Sequence, residues 1–202
     1  MPPPVSPPPG PAAALVLAGG RGRRLGGVDK PALRVGDRTL LQVALAAVAG
    51  VPTVVIGPDR DLSPGAHVVR EDPPGGGPAA ALAAGFASLP VLPYGALVVV
   101  LAADLPAIDA PTVAELCGRV EQTGAILLDA DGRAQWLAGA WRVDALTGAL
   151  RQRPSWHQRS VRELLGPLRP VEVAGCEGAT VDVDTPEDWR RLRAAWDRMG
   201  SP

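Results

Sequence analysis

Ala13-Ala14-Leu15-Val16-Leu17-Ala18-Gly19-Gly20-Arg21-Gly22-Arg23-Arg24-Leu25-Gly26-Gly27-Val28-Asp29-Lys30-Pro31 is the stretch on which the fold turns. The apolar run over residues 13–17 stops abruptly at Gly19-Gly20, the pattern of a buried strand feeding a loop. In open α/β sheets ligands collect beyond the carboxyl ends of the strands, where glycines let backbone N–H groups approach phosphate oxygens. Three arginines and a lysine in the loop supply the countercharge. The glycine spacing fits neither the P-loop of ATPases nor the dinucleotide-binding fingerprint, so neither class is supported. By its own pattern the loop is a phosphate site or a flexible turn.

Outward from this strand, helical and strand signals alternate. Residues 40–48, rich in Ala and Leu, read as a helix, followed by strands at 53–56 and 67–70 and a helix at 79–89. Residues 96–103 form the clearest buried strand, eight apolar residues closed by Asp104-Leu105-Pro106. Asp109-Ala110-Pro111 starts a helix running to about 122. Strands at 125–128 and 135–140 join as a hairpin over Asp131-Gly132. Short helices at 142–150 and 160–165 precede a strand at 180–183. Thr185-Pro186-Glu187-Asp188 then opens a helix reaching about residue 199. The alternation predicts a three-layer α/β/α sandwich around a mostly parallel, Rossmann-like sheet. Residues 12–202 read as a single domain without internal repeats. Residues 1–11, with seven prolines and no basic n-region, read as a disordered leader and not a signal peptide.

Composition narrows the function. A net charge of −1 and a pI near 6.1 argue against a protein that coats nucleic acid. No apolar run approaches the roughly 20 residues that span a bilayer, so no membrane role is expected. Cys117 and Cys176 are far apart and lack metal-ligand spacing, which suits a reduced, cytoplasmic protein. The chain holds 19 arginines and one lysine, Lys30. Where Arg supplies positive charge everywhere else, a lone Lys marks a place for a compact ammonium in preference to a planar fork.

Carboxylates supply the second signal. Asp104, at the carboxyl end of the central strand, faces the same crevice as the glycine loop. It either caps the turn before Pro106 or ligates a hard cation arriving with a triphosphate. Asp182 and Asp184, two apart on a strand, share a face, and Asp184 could equally cap the last helix. Glu71 to Pro78 reads as a loop entering a helix.

Read whole, Leu17 to Lys30 resembles the LAGGxxxRMGGxDK loop of nucleotidyltransferases that activate small phosphorylated metabolites, above all the molybdenum cofactor guanylyltransferases. Leu25 replaces Met, a volume-conserving exchange. The resemblance implies nucleotide binding at Leu17, Ala18, Gly19, Gly20 and Gly22, with Arg24 and Lys30 on the phosphates. It implies Mg²⁺ at Asp104, whose Asp-x-Pro setting matches the family's metal ligand, and at Asp184, with Asp182 the weaker choice. Many relatives carry asparagines where this chain has Asp182 and Asp184. Asp72, Gly77 and Pro78 match a guanine-reading loop, in which a carboxylate accepts from N1–H and N2–H₂. The related cytidylyltransferases favour serines there and Ala-Ala-Gly in the first loop. Gly57-Pro58-Asp59-Arg60 departs from the family, which often has an Asn near the nucleoside.

The implied reaction is attack of the terminal phosphate of molybdopterin on the α-phosphorus of GTP, with release of pyrophosphate. Lys30, Arg24 and Asp104 would be catalytic. Gln135 to Gly139 would line the acceptor pocket, with Trp136 against the pterin. Partners would be GTP and molybdopterin, with no nucleic acid and no membrane, and with other cofactor-biosynthesis proteins as candidates. The alternatives are transfer from CTP or to another acceptor such as a sugar 1-phosphate, and a nucleotide-binding module without catalysis.

Overall fold

A computed structural model describes residues 10–19, 28–62, 65–175, 187, 189 and 190. β1 (Ala13–Leu17) is the expected first strand, buried along its whole length. A 3-10 turn (Lys30–Ala32) and a small hairpin of β2 (Arg34–Val35) and β3 (Arg38–Thr39) lead into α1 (Leu40–Ala47). Then come β4 (Thr53–Ile56), β5 (Ala66–Val69), α2 (Pro78–Ala87) and β6 (Leu97–Ala102). They are followed by α3 (Ala110–Arg119), β7 (Gly124–Leu128), β8 (Ala134–Arg142), α4 (Val143–Leu150), α5 (Val161–Leu165) and β9 (Val171–Ala174).

The seven-stranded sheet has the order β5-β4-β1-β6-β8-β7-β9. All strands run parallel except β8, which is antiparallel to both β6 and β7. The exception has a local cause. A short turn can only join antiparallel strands, because a parallel pair needs a crossover. The turn after β7 is the expected one over Asp131-Gly132. The Asp129 carboxylate accepts from the N–H groups of Asp131 and Arg133 at 2.9 and 2.8 Å, and Gly132 takes φ +74°, a conformation that favours glycine.

Side chains on a strand alternate between faces, and here the alternation builds two cores. Ala14 and Val16 of β1 with Val99 and Leu101 of β6 pack under α1 and α3, through Leu41, Ala44, Val113 and Leu116. Ala13, Leu15 and Leu17 with Val98 and Val100 pack under α2, α4 and α5, through Leu82, Leu146, Leu164 and Leu165. Each fully buried Val or Leu contributes about 1.5–3 kcal/mol over its exposed state. The strands buried on both faces are therefore what holds the three layers together, as their unbroken apolar sequence implies.

β1 lies between β4 and β6. The chain leaves β1 through α1 to reach β4 on one side, and returns through α2 to β6 on the other. This reversal opens a crevice beyond the carboxyl ends of β1 and β6, where such sheets bind ligands. The hairpin β2–β3 and strand β9 were not expected from the sequence. Two-residue strands have no detectable period, and Val171-Glu172-Val173-Ala174 becomes a strand by adding to β7 at the sheet edge. The expected strand at 180–183 lies outside the described residues, as does most of the expected last helix.

Candidate functional site

Leu17 and Ala102 are cross-strand neighbours, and the Ala103 N–H donates to the Leu17 carbonyl at 2.9 Å. The two chain segments that follow, Ala18-Gly19 and Asp104-Leu105-Pro106, therefore leave the sheet side by side. The Ala18 N–H is itself bonded to the Ile56 carbonyl at 2.8 Å. That bond takes up the Ala18 N–H within the sheet, and Gly19 beyond it is exposed. Gly20, Gly22 and Arg24 lie outside the described residues, as do Asp182 and Asp184.

The chain re-enters at Val28 and brings Lys30 back to the crevice at the start of the 3-10 turn, with Pro31 buried beneath it. Lys30 Nζ lies 3.6 Å from Asp104 Oδ2, with side-chain exposures of 18% and 25%. Two residues separated by most of the first half of the chain thus form one partly shielded ion pair at the sheet's switch point. Trp189 packs against Val35 and Leu40, so this residue lies against the elements that follow Lys30.

The second glycine-rich segment sits after β5. Asp72 is exposed, Glu71 accepts from the Gly75 N–H at 2.8 Å, and Gly77 caps α2 with φ +89°, where a side chain would be strained. Pro78 occupies the first turn of α2, where its missing N–H costs nothing. A stretch far away in sequence holds this loop. Gln158 N–H donates to the Gly76 carbonyl at 2.6 Å, and Gln158 Nε2 donates to the Gly75 carbonyl at 2.8 Å.

A cleft of about 380 Å³ lies between the end of this second segment and the chain that follows β6. Pro78 and Asp104 contribute to its wall, with Gln135 and Trp136 from β8 and Ser160 and Arg162 from the start of α5. The structure thus brings Gln135, Trp136, Leu137 and Ala138, expected at an acceptor pocket, to the same cavity as Asp104. Gln135 is oriented by its bond to Asp129 Oδ2 at 2.9 Å. The Arg133 N–H, joined by those of Asp131 and Gln135, holds the Asp129 carboxyl below its usual range. On α5, Ser160 and Glu163 cap each other, and the Ser160 N–H pulls the Glu163 carboxyl down likewise.

Ser160, Arg162 and Gln158 carry no functional signal in the sequence, and Arg60 stands out only within the Gly57 to Arg60 departure from the family. Of the first three, only the Ser160 to Glu163 capping box left a local trace, and it speaks of helix initiation. Cys117 is buried on α3 and burial pushes its thiol up to about 11, so it is no nucleophile at neutral pH. Among the described residues no group of three or more His, Cys, Asp or Glu could hold a metal. The donor set suits a cation that arrives partly coordinated. Mg²⁺ takes one or two protein carboxylates and completes its shell with phosphate oxygens and water, and Asp104 offers such a carboxylate at the crevice.

The fold and the site can be set beside known proteins. Residues 14–171 match the family model for the MobA-like NTP transferase domain. A 37-residue segment is 60% identical to the molybdenum cofactor guanylyltransferase of Acidiphilium cryptum, spanning 18% of this chain and 19% of that protein. Over 152 residues the chain is 33% identical to a probable molybdenum cofactor guanylyltransferase of Mycobacterium tuberculosis, 69% of this chain and 75% of the relative. Molybdopterin-guanine dinucleotide biosynthesis protein A from Archaeoglobus fulgidus superposes with TM-score 0.67 at 19% identity, covering 93% of this chain and 100% of that one. The 2-C-methyl-D-erythritol 4-phosphate cytidylyltransferase of Thermus thermophilus gives 0.66 at 20%, covering 93% and 99%. These two scores are level, so the likeness of backbones speaks for the fold and leaves the base and the acceptor to the side chains.

Proposed function

The chain belongs to the MobA-like NTP transferase family, and we propose that it transfers GMP from GTP to the terminal phosphate of molybdopterin, releasing pyrophosphate. The observation that carries this reading is the meeting of Lys30 and Asp104, 3.6 Å apart, at the β1–β6 crevice beside the cleft. An oxygen of the acceptor phosphate forms the new bond to the α-phosphorus. The bond to the bridging oxygen breaks, and pyrophosphate leaves with the electron pair. The acceptor phosphate is already anionic near neutral pH, so no side chain need remove a proton. What remains for the protein is alignment and compensation of charge.

Lys30 and Arg24 would hold the phosphates, together with backbone N–H groups of the first glycine loop from Gly19 onward. Leu17, Ala18, Gly20 and Gly22 complete that proposed binding segment. Asp104 and Asp184 would hold Mg²⁺, which when bound neutralises phosphate charge. Asp72 would accept from the N1–H and N2–H₂ of guanine, with Gly77 and Pro78 shaping the base loop. The cleft lined by Trp136 and Arg162 would take the acceptor, a flat ring system ending in a phosphate. The setting would be the cytoplasm, with other cofactor-biosynthesis proteins as candidate partners. No described helix is long and apolar enough to cross a membrane.

The test is direct. Purified protein and Mg²⁺ are incubated with each of the nucleoside triphosphates and with molybdopterin or a sugar 1-phosphate, and pyrophosphate release and product mass are read. Turnover confined to GTP with molybdopterin is the expected result. Turnover of CTP or of a sugar 1-phosphate would replace the substrate assignment, and nucleotide binding without turnover of any pair would make the chain an accessory module.

A further inference from the structure

Arg60 follows β4, the strand beside β1, and its side chain is only 14% exposed. Its Nη2 donates to the Ala18 carbonyl at 3.1 Å. Nη1 reaches Asp29 Oδ2 at 3.3 Å and Nη2 reaches Asp29 Oδ1 at 3.4 Å, while Nε donates to the Pro58 carbonyl at 3.3 Å. One guanidinium therefore touches the residue that opens the first glycine loop and the residue that ends it. Gly57 makes the approach possible, because a Cβ there would lie 2.7 Å from the Ala18 carbonyl oxygen.

We infer that Arg60 is a positioning residue for nucleotide binding, clasping the two ends of the phosphate-binding loop and so setting Lys30 against Asp104. The inference rests on the nucleotide-binding reading proposed above. Asp29 is peptide-bonded to Lys30, so the carboxylate held by Arg60 fixes where the ammonium begins. The Arg fork is needed because it presents several donors in one rigid plane and can serve a carbonyl and a carboxylate together. A Lys ammonium is a point charge on a flexible stem. Asp29 is 55% exposed, and ion pairs that exposed add little to global stability. The consequence of breaking the clasp should therefore appear in binding and not in unfolding, because the loop ends are freed while the cores stay packed.

The experiment titrates wild type, Arg60→Met, Arg60→Lys, Asp29→Asn and the Arg60→Met/Asp29→Asn double variant with Mg·GTP and with Mg·CTP by calorimetry, alongside thermal unfolding. Arg60→Met keeps much of the apolar stem. It should weaken nucleotide binding about tenfold, the worth of one charge-assisted hydrogen bond, with little change in Tm. Arg60→Lys should not restore affinity. The double variant should bind no more weakly than Arg60→Met alone, as expected for two groups acting through one contact. Wild-type affinity in Arg60→Met, or additive losses in the double variant, would overturn the inference while leaving the proposed function standing. If Arg60→Met does not fold, unchanged affinity in Asp29→Asn overturns it and weakened affinity supports it. A wild-type protein that binds neither nucleotide would remove the proposed function and this inference together.

Discussion

The molecule holds two glycine-rich loops at one rim of the sheet, and they are fastened by different physics. The loop after β1 is clasped by charge, with the Arg60 guanidinium on the Asp29 carboxylate and Lys30 on Asp104. The loop before α2 is fastened mostly by uncharged hydrogen bonds, from the Gln158 N–H and amide to the carbonyls of Gly76 and Gly75. Charge pairs weaken as salt screens them, less steeply where they are partly shielded as these are, whereas neutral hydrogen bonds do not. The difference matches what each loop is proposed to bind. A triphosphate demands positive charge that can exchange partners, while a base edge demands donors and acceptors held still.

The largest effect that could break this contrast lies at Lys30. Lys30→Ala should lower turnover by roughly 10²-fold or more, the cost of one preorganised charge-stabilising donor. Asp104→Ala should abolish Mg²⁺-dependent turnover with an unchanged circular dichroism spectrum. Activity near wild type in the Lys30 variant, or a collapse of the spectrum in the Asp104 variant, would return these residues to a structural role. Gly57→Ala forces a Cβ against the Ala18 carbonyl and should cost about 1–3 kcal/mol of stability by overpacking, with a raised KM for nucleotide. Urea unfolding and steady-state kinetics read both, and an unaltered KM would show that the close approach does not shape the loop.

Gln158→Ala should raise the KM for nucleotide several-fold with little change in kcat, since one hydrogen-bonding side chain is worth about 1 kcal/mol. Salt sharpens the comparison further. As ionic strength rises, the wild-type KM for nucleotide should climb, yet the ratio between Gln158→Ala and wild type should stay flat. A ratio that falls with salt would mean that the second loop is held by charge after all.

The smallest effect concerns Glu163, whose carboxyl is pulled down chiefly by the Ser160 N–H. A folded-state value depressed below the unfolded value, about 4.3 for glutamate, contributes stability that is present above that value. The contribution is lost as pH falls through the folded value. The gap in Tm between wild type and Glu163→Gln should be present at neutral pH and close in acid, and a gap constant across that range would refute the assignment.

The layered fold was legible because it depends on short-range pattern. β1 and β4 lie where their apolar runs predict, and the hairpin over Asp131-Gly132 follows from turn chemistry. Elsewhere the ends moved by a residue or two, as at β5 and α2, where fraying and capping geometry decide the boundary. The β2–β3 hairpin and β9 were not legible, since each is stabilised by its partner more than by its own sequence.

The same division holds for the site. Lys30 could be singled out as the lone lysine, and Asp104 as the acid at the end of an unbroken apolar strand, because composition and position along the chain carry both signals. That the two stand 3.6 Å apart, that Trp136 and Arg162 share a cleft with Asp104, and that Arg60 and Gln158 reach across to fasten the loops emerged only from the folded chain. The reason is physical. Backbone periodicity and turn preference act between near neighbours and are written in the order of residues, whereas these contacts join segments that meet only when the strand order reverses at β1 and β6.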